Sequence, residues 1–183
     1  WCRAMSQAFE RETGIKVAMT RKSAGEVYAQ VKAEASNPRG DVWWGGTGDP
    51  HLQAADEGLT LEYESPNNKD LNDWAIRQWK AAKGRTIGIY SGALGFGFNT
   101  KMIADKKMAE PKCWADLLDP KYKDEVQVAD PNSSGTSYTM LATIVQLMGE
   151  EKAFAWLKAV HKNINQYTKS GAAPAKATSL GET

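Results

Sequence analysis

Residues 125–149, which run EVQVADPNSSGTSYTMLATIVQLMG, determine the fold class of this chain. Residues 125–129 alternate polar and apolar side chains, as a half-buried strand does. A loop of Asp, Asn, Ser and Gly follows. Residues 135–148 then repeat apolar side chains at helical spacing, and Gly149 supplies a stop. A strand, a small-residue loop and a helix in this order predict one unit of an α/β fold with largely parallel pairing.

The same order recurs along the chain. Residues 15–19, 41–44 and 164–168 are predicted strands that also lead into loops of small residues, and helical patterns follow those loops. Residues 86–90 and 94–98 are strand-like runs in which apolar residues alternate with Gly. Asp49 is predicted to cap a helix whose first residue is Pro50. The chain opens inside a helical pattern that ends at Gly14.

Two sets of such units predict two lobes. We assign residues 1–92 to a first lobe, residues 93–110 to a hinge crossover and residues 111–183 to part of a second lobe. Because a compact domain rarely begins with a helix at its first residue, we expect a strand upstream of Trp1. The break between the sets falls in strand-like sequence, which indicates a β hinge with a cleft beside it.

Composition excludes several classes of protein. The 183 residues carry 23 Lys plus Arg and 22 Asp plus Glu, a net charge of +1, so nucleic-acid partners are not expected. Apolar runs are far too short for membrane insertion, and this chain opens with no secretory signal. Cys2 and Cys113 are too far apart for a redox or zinc motif. A long-range disulfide and two buried thiols both stay open, with buried thiols favoured.

The loops after the strands suit an oxyanion. Glycine lets the backbone approach a ligand, the first N–H groups of a helix point outward, and the helix dipole adds partial positive charge. Any single loop of this kind is more often an ordinary helix cap. Four of them, two in each expected lobe, favour a binding site. They comprise Ser23-Ala24-Gly25, Gly45-Gly46-Thr47-Gly48, Ser133-Ser134-Gly135-Thr136 and Ser170-Gly171.

Enzyme signatures are missing from the sequence. It has no phosphate-binding P-loop motif and no nucleophile elbow. Asp49 and His51 are the candidate metal ligands, but an N-cap role is favoured for Asp49 and a surface or capping-region position for His51. His161 fits a helix C-terminus. The alternative to a binding protein is a hydrolase or transferase that acts on a phosphorylated or acyl small molecule, with His51 and Asp49 as acid and base.

Several motifs, taken in order, resemble one family. They are FERETGIKV at 9–17, RKSAGE at 21–26, DVWWGG at 41–46, GALGFGFNT at 92–100, WADLLDPKY at 114–122, DPNSSGT at 130–136 and SGAAP at 170–174. Together they resemble the extracellular solute-binding proteins of ABC importers, in the branch that binds ferric iron, phosphonates and sugar phosphates. The resemblance implies a two-lobed type II periplasmic-binding fold, a periplasmic location after export and a membrane permease as partner. It also implies that segments before Trp1 and after Thr183 are missing, so that the fold is incomplete here.

Carried over residue by residue, the resemblance implies a site without catalytic residues and with no cofactor other than the cargo, either a phosphate-type anion or ferric iron. The tyrosines that hold iron in ferric members would lie beyond Thr183, and the glycine-rich loop at 45–48 favours a phosphorylated or phosphonate solute. A fragment whose lobes cannot close is a further alternative. The expected ligand-binding residues are Ser23, Ala24, Gly25, Gly45, Gly46, Thr47, Ser91, Gly92, Ser133, Ser134, Gly135, Thr136, Ser170, Gly171 and Ala172.

Overall fold

The computed structural model describes all 183 residues, Trp1–Thr183. They form two compact units, Trp1–Ser91 and Gly92–Thr183, which are described separately below. The sequence-based assignment of lobes and hinge remains a prediction; helix α5 (Thr100–Asp105) lies within the segment assigned to the hinge.

Helices dominate the first unit. They are α1 (Cys2–Thr13), α2 (Ala24–Ala33), α3 (Gly48–Asp56) and α4 (Asp73–Ala81), with a 3-10 turn at Asn68–Asp70. Gly14 ends α1 in the left-handed region, with φ 72°, and its N–H bonds back to the Glu10 carbonyl. This is the glycine stop that the sequence predicts.

Three predicted strands of the first unit are wrong. Residues 15–19, 41–44 and 86–90 are not strands, and neither are residues 94–98 of the second unit. A strand requires a neighbouring backbone for its ladder of hydrogen bonds, and these segments do not pair with one another. The N–H of Val17 bonds instead to the Glu10 carboxylate, at 2.6 Å. Alternating sequence therefore gives extended chain here without a sheet.

The second unit carries both strands. Its helices after α5 are α6 (Gly135–Met148), α7 (Glu150–Val160) and α8 (Ala173–Leu180), with 3-10 turns at Trp114–Leu118, Pro120–Tyr122 and His161–Asn163. Strands β1 (Val126–Ala129) and β2 (Ile164–Thr168) pair in parallel, with Val126 opposite Ile164 and a register shift directly after Val126. Parallel strands need a long crossover, which α6 and α7 supply. The predicted strand–loop–helix unit at 125–149 is confirmed.

The hydrophobic core of the second unit lies where α6 and α7 meet the 3-10 turn at Trp114–Leu118. Ile144 is fully buried, and Leu117, Ala153, Trp156 and Val160 surround it. Trp156 packs edge-on against Trp114 and donates its indole N–H to the Trp114 carbonyl at 3.1 Å. A buried Trp that also satisfies its polar atom fixes α7 against this 3-10 turn.

Two further expectations need correction. Thr47, not Asp49, is the N-cap of α3, because Thr47 is extended and the helical conformation already begins at Gly48; Pro50 still falls in the first turn, where its missing N–H does no harm. Cys2 and Cys113 are both free, and Cys113 is exposed while Cys2 is half-buried. Neither a disulfide nor two buried thiols is present.

No helix combines the length and apolarity needed to cross a bilayer.

Candidate functional site

In the second unit, the structure brings two of the predicted loops together. We call residues 133–136 and 170–172 the second loop pair. The first loop follows β1 and the other follows β2, and adjacent parallel strands end at the same sheet edge. The Ser133 hydroxyl donates to the Lys169 carbonyl at 2.7 Å, and a methyl group added to Gly171 would lie 2.7 Å from Ser134 Oγ. Sheet pairing thus assembles this pair.

The first unit contains a matching arrangement, which we call the first loop pair: residues 23–25 and 45–47. A methyl group added to Gly46 would lie 3.3 Å from the Ala24 Cβ. Gly45 and Gly46 have φ values of 79° and 98°, a region that other residues rarely adopt. The conformation of this loop therefore depends on both glycines.

Tyr90 forms hydrogen bonds with the loop at residues 45–47. Its hydroxyl lies 3.0 Å from both the nitrogen and the carbonyl oxygen of Gly46, so it accepts from the N–H and donates to the C=O. Both polar groups of one residue are thereby satisfied by a single side chain. Sequence reasoning missed Tyr90, since 44 residues separate it from Gly46 and only the fold brings them together.

His51 forms a hydrogen bond with the same loop. Its Nε2 lies 2.8 Å from the Gly45 carbonyl oxygen, and because a carbonyl only accepts, Nε2 carries the proton. The imidazole stacks on Trp43 with ring centroids 3.9 Å apart. Burial lowers the pKa of His51 below its ordinary value of 6.5, although the Gly45 carbonyl and the charge of Asp49 oppose this. His51 is therefore a neutral donor that fixes the Gly45 peptide.

The lowered pKa of His51 predicts a pH-dependent stability. Below pH 6.5 the unfolded chain takes up a proton at His51 before the folded chain does, so the free energy of unfolding falls as the pH drops through this range. Urea unfolding at pH 7.5 and 5.5 should show a larger loss for the native protein than for His51→Gln, which keeps a donor but does not titrate. Between pH 7.5 and 8.5 the two proteins should change alike. Equal losses on acidification would contradict the prediction.

Several predicted hydroxyl donors already act as helix caps. Ser23 and Glu26 form a capping box at the start of α2, and Ser134 accepts from the Ser137 N–H at the start of α6. Ser170 caps no helix, because the N-cap of α8 is Ala172; its hydroxyl accepts from the Ala172 N–H at 3.4 Å within the preceding turn. Thr47 is different. Its hydroxyl is buried, makes no capping bond to α3 and has no hydrogen-bond partner in the chain.

The remaining expected site residues lie apart from these pairs. Ser91 and Gly92 are exposed and stand at the boundary of the two units, with open space around Gly92. Asp49 lies in the first turn of α3, and the Nε2 of His51 is already bonded. No group of three or more His, Cys, Asp or Glu side chains is placed to hold a metal ion.

Comparison with known proteins identifies the family. Residues 47–182 match the bacterial extracellular solute-binding proteins. The chain belongs to this family. An uncharacterized protein of Haemophilus influenzae is 46% identical over 183 residues, which are 99% of this chain and 53% of that protein. The Fe(3+)-binding periplasmic protein of Serratia marcescens is 27% identical over 175 residues, 95% of this chain and 49% of that protein.

Solved structures of the family match the whole chain. The periplasmic binding protein AfuA of Actinobacillus pleuropneumoniae, with fructose-6-phosphate bound, shares 43% identity at a TM-score of 0.93 and is covered over 57% of its length. The periplasmic binding protein P5PA shares 37% identity at a TM-score of 0.92, with 58% covered. These matches confirm the predicted α/β periplasmic-binding fold and the resemblance. Relatives with 2-aminoethylphosphonate-binding names also match, at 26% identity.

The chain spans about half the length of the curated relatives it matches. The family is extracellular by description, and the names of these relatives and structures describe binding, not catalysis.

Proposed function

We propose that this chain is part of the solute-binding component of an ABC importer and captures a small phosphorylated solute for delivery to a membrane permease. The protein works in the periplasm, has no catalytic residues and needs no cofactor besides its cargo. The binding residues are those of the first and second loop pairs, together with Ser91 and Gly92. We propose a phosphate-type anion, and not ferric iron, as the cargo.

The unpaired Thr47 hydroxyl carries this proposal. A buried hydroxyl without a partner costs free energy of folding, so its retention at a helix N-terminus needs a compensating role. The start of a helix offers N–H groups and partial positive charge to an anion, and a hydroxyl beside them adds a donor. Backbone N–H groups and hydroxyls suit phosphate oxygens, whereas iron requires carboxylate, imidazole or phenolate ligands.

The likeness to AfuA supports the choice of cargo. That protein is described with fructose-6-phosphate bound, and it is much closer to this chain than the ferric-iron relative is, at 43% identity against 27%.

Calorimetry on the protein at its full natural length tests the proposal. We expect micromolar binding of fructose 6-phosphate and no comparable binding of ferric citrate. Thr47→Val replaces the hydroxyl by a methyl group of similar size and should weaken fructose 6-phosphate about tenfold, as loss of a hydrogen bond to a charged group does. Its unfolding free energy should not fall, because the hydroxyl caps nothing.

Thr20→Val, at an exposed threonine of the same unit, serves as the matched control and should leave affinity unchanged. A protein that binds none of fructose 6-phosphate, inorganic phosphate and 2-aminoethylphosphonate, or that binds ferric citrate alone, would disprove the proposed function.

A further inference from the structure

Gly46 is one of the expected ligand-binding residues, yet neither of its backbone polar groups is free to bind a solute. The Tyr90 hydroxyl lies 3.0 Å from the Gly46 nitrogen and 3.0 Å from the Gly46 carbonyl oxygen. One hydroxyl can accept from an N–H and donate to a C=O at the same time, so Tyr90 occupies both groups. Gly46 therefore contributes its conformation to the first loop pair, and not a hydrogen bond to the cargo.

Tyr90 itself has no proton left for an anion. A phenol carries a single O–H, and the Gly46 carbonyl, which can only accept, already receives it. An anion needs donors. The donors that follow in the chain are the Thr47 hydroxyl, which has no partner, and the first N–H groups of α3, which begins at Gly48. Tyr90 therefore acts on cargo binding through the loop and not by direct contact.

The backbone of this loop needs such support. Gly45 and Gly46 have φ values of 79° and 98°, and glycine reaches many other conformations at little cost. The carbonyl of Gly45 is fixed by His51, and both polar groups of Gly46 are fixed by Tyr90. Because Thr47 follows directly, these bonds set the direction in which its hydroxyl and the start of α3 present their donors.

The Tyr90 ring is itself fixed by packing. It meets the Trp1 ring edge-on with centroids 5.2 Å apart, and Trp1 stacks on Trp44 at 5.5 Å. A carbon added to Gly45 would lie 3.3 Å from the Trp1 ring and 3.7 Å from the Tyr90 ring. A ring packed in this way presents its hydroxyl in one place, which lowers the entropy cost of ordering the loop when cargo binds.

We propose that Tyr90 is a positioning residue for cargo capture, whose hydroxyl holds the Gly46 peptide so that the donors of Thr47 and Gly48 face the anion. This inference rests on the proposed function and deepens it, since it adds a residue outside both loop pairs and removes Gly46 from the cargo contacts. A loop that is competent only part of the time weakens every ligand of that loop by one common factor. Loss of the Tyr90 hydroxyl should therefore affect all phosphate-type ligands alike.

Tyr90→Phe removes the hydroxyl and keeps the ring against Trp1. In titration calorimetry on the protein at its full natural length, we expect fructose 6-phosphate and inorganic phosphate each to weaken about tenfold, because two hydrogen bonds that order the loop are lost. Tyr63→Phe removes the hydroxyl of another exposed tyrosine in the same unit. It is the matched control and should alter the affinity for neither ligand.

Nuclear magnetic resonance of the protein labelled at its glycine nitrogens adds a readout that a merely stabilising tyrosine would not change. When inorganic phosphate is added to the native protein, the Gly48 N–H resonance should shift strongly. The Gly46 N–H resonance should shift little, because this group is bonded to Tyr90 with and without the anion. In Tyr90→Phe without phosphate, the Gly46 N–H should exchange with solvent at least tenfold faster than in the native protein.

The outcomes separate this inference from the proposed function. If the native protein binds neither fructose 6-phosphate nor phosphate, the proposed function fails and the role of Tyr90 fails with it. If the native protein binds both, but Tyr90→Phe weakens neither or weakens fructose 6-phosphate alone, only the positioning role is disproved. A Gly46 N–H resonance that shifts with phosphate as strongly as that of Gly48 would also disprove it, and would leave phosphate-type capture standing.

Discussion

Replacing Gly171 by alanine is expected to weaken fructose 6-phosphate binding by tenfold or more. The added methyl would lie 2.7 Å from Ser134 Oγ, closer than nonbonded carbon and oxygen atoms pack. Ser134 is 2% exposed and its hydroxyl accepts from the Ser137 N–H, so it has little freedom to move aside. The loop after β2 must shift instead, which separates the second loop pair. Titration calorimetry measures the affinity, and scanning calorimetry measures the thermal stability of the variant.

A matched control and a rescue make this prediction specific. Gly95→Ala lies in the same unit with nothing within 4 Å of the new methyl, and it should leave affinity unchanged. Removing the Ser134 hydroxyl in the double variant Gly171→Ala/Ser134→Ala takes away the clash and should recover part of the binding. The lost cap should lower the free energy of unfolding by about 1 kcal/mol. Unchanged affinity in Gly171→Ala would rule out a role for this loop pair.

Replacing Gly88 by alanine is expected to lower the free energy of unfolding by about 3 kcal/mol, at the upper end for overpacked sites. The methyl would lie 2.5 Å from the Trp74 ring and 3.2 Å from the Ala75 Cα. Ala75 is 1% exposed, so the α4 backbone blocks relief of the clash in that direction. The segment that carries Tyr90 must move, and its bonds to Gly46 should be lost with it.

Urea unfolding measures this loss of stability. Gly40→Ala is the control, because Gly40 has nothing within 4 Å and no positive φ; that change should be neutral or slightly stabilising. A midpoint for Gly88→Ala equal to that of Gly40→Ala would show that Gly88 is not a point of close approach.

The structural features that could be predicted from the sequence are those set by neighbouring residues. The period of apolar residues and the glycine stops located α1, α6 and α7, and the order of strand, loop and helix identified the loops after β1 and β2, because each of these features is set within a few residues. The resemblance of the ordered motifs then gave the family. The second loop pair follows from a general rule about parallel strands, and not from any one residue.

The features that escaped prediction depend on distant partners. Residues 15–19 alternate as a strand does, yet pairing is a property of two segments, and this one finds no neighbour among these residues. The contacts of Trp1 with Trp44 and Tyr90 join positions more than 40 residues apart, which no local pattern encodes. The same is true of Thr47, whose missing partner only a three-dimensional structure shows.

The hydrogen bonds that join the two loops of the second unit have a thermodynamic consequence. The backbone N–H of Asp130 donates to the Thr168 carbonyl at 2.7 Å, and the Ser133 hydroxyl donates to the Lys169 carbonyl, so this loop pair exists only while β1 and β2 are paired. A solute bound there recognises the folded state alone. By mass action, cargo at a hundred times its Kd would therefore add about 2.7 kcal/mol to the stability of the pairing, and capture of cargo and integrity of the fold become one linked equilibrium.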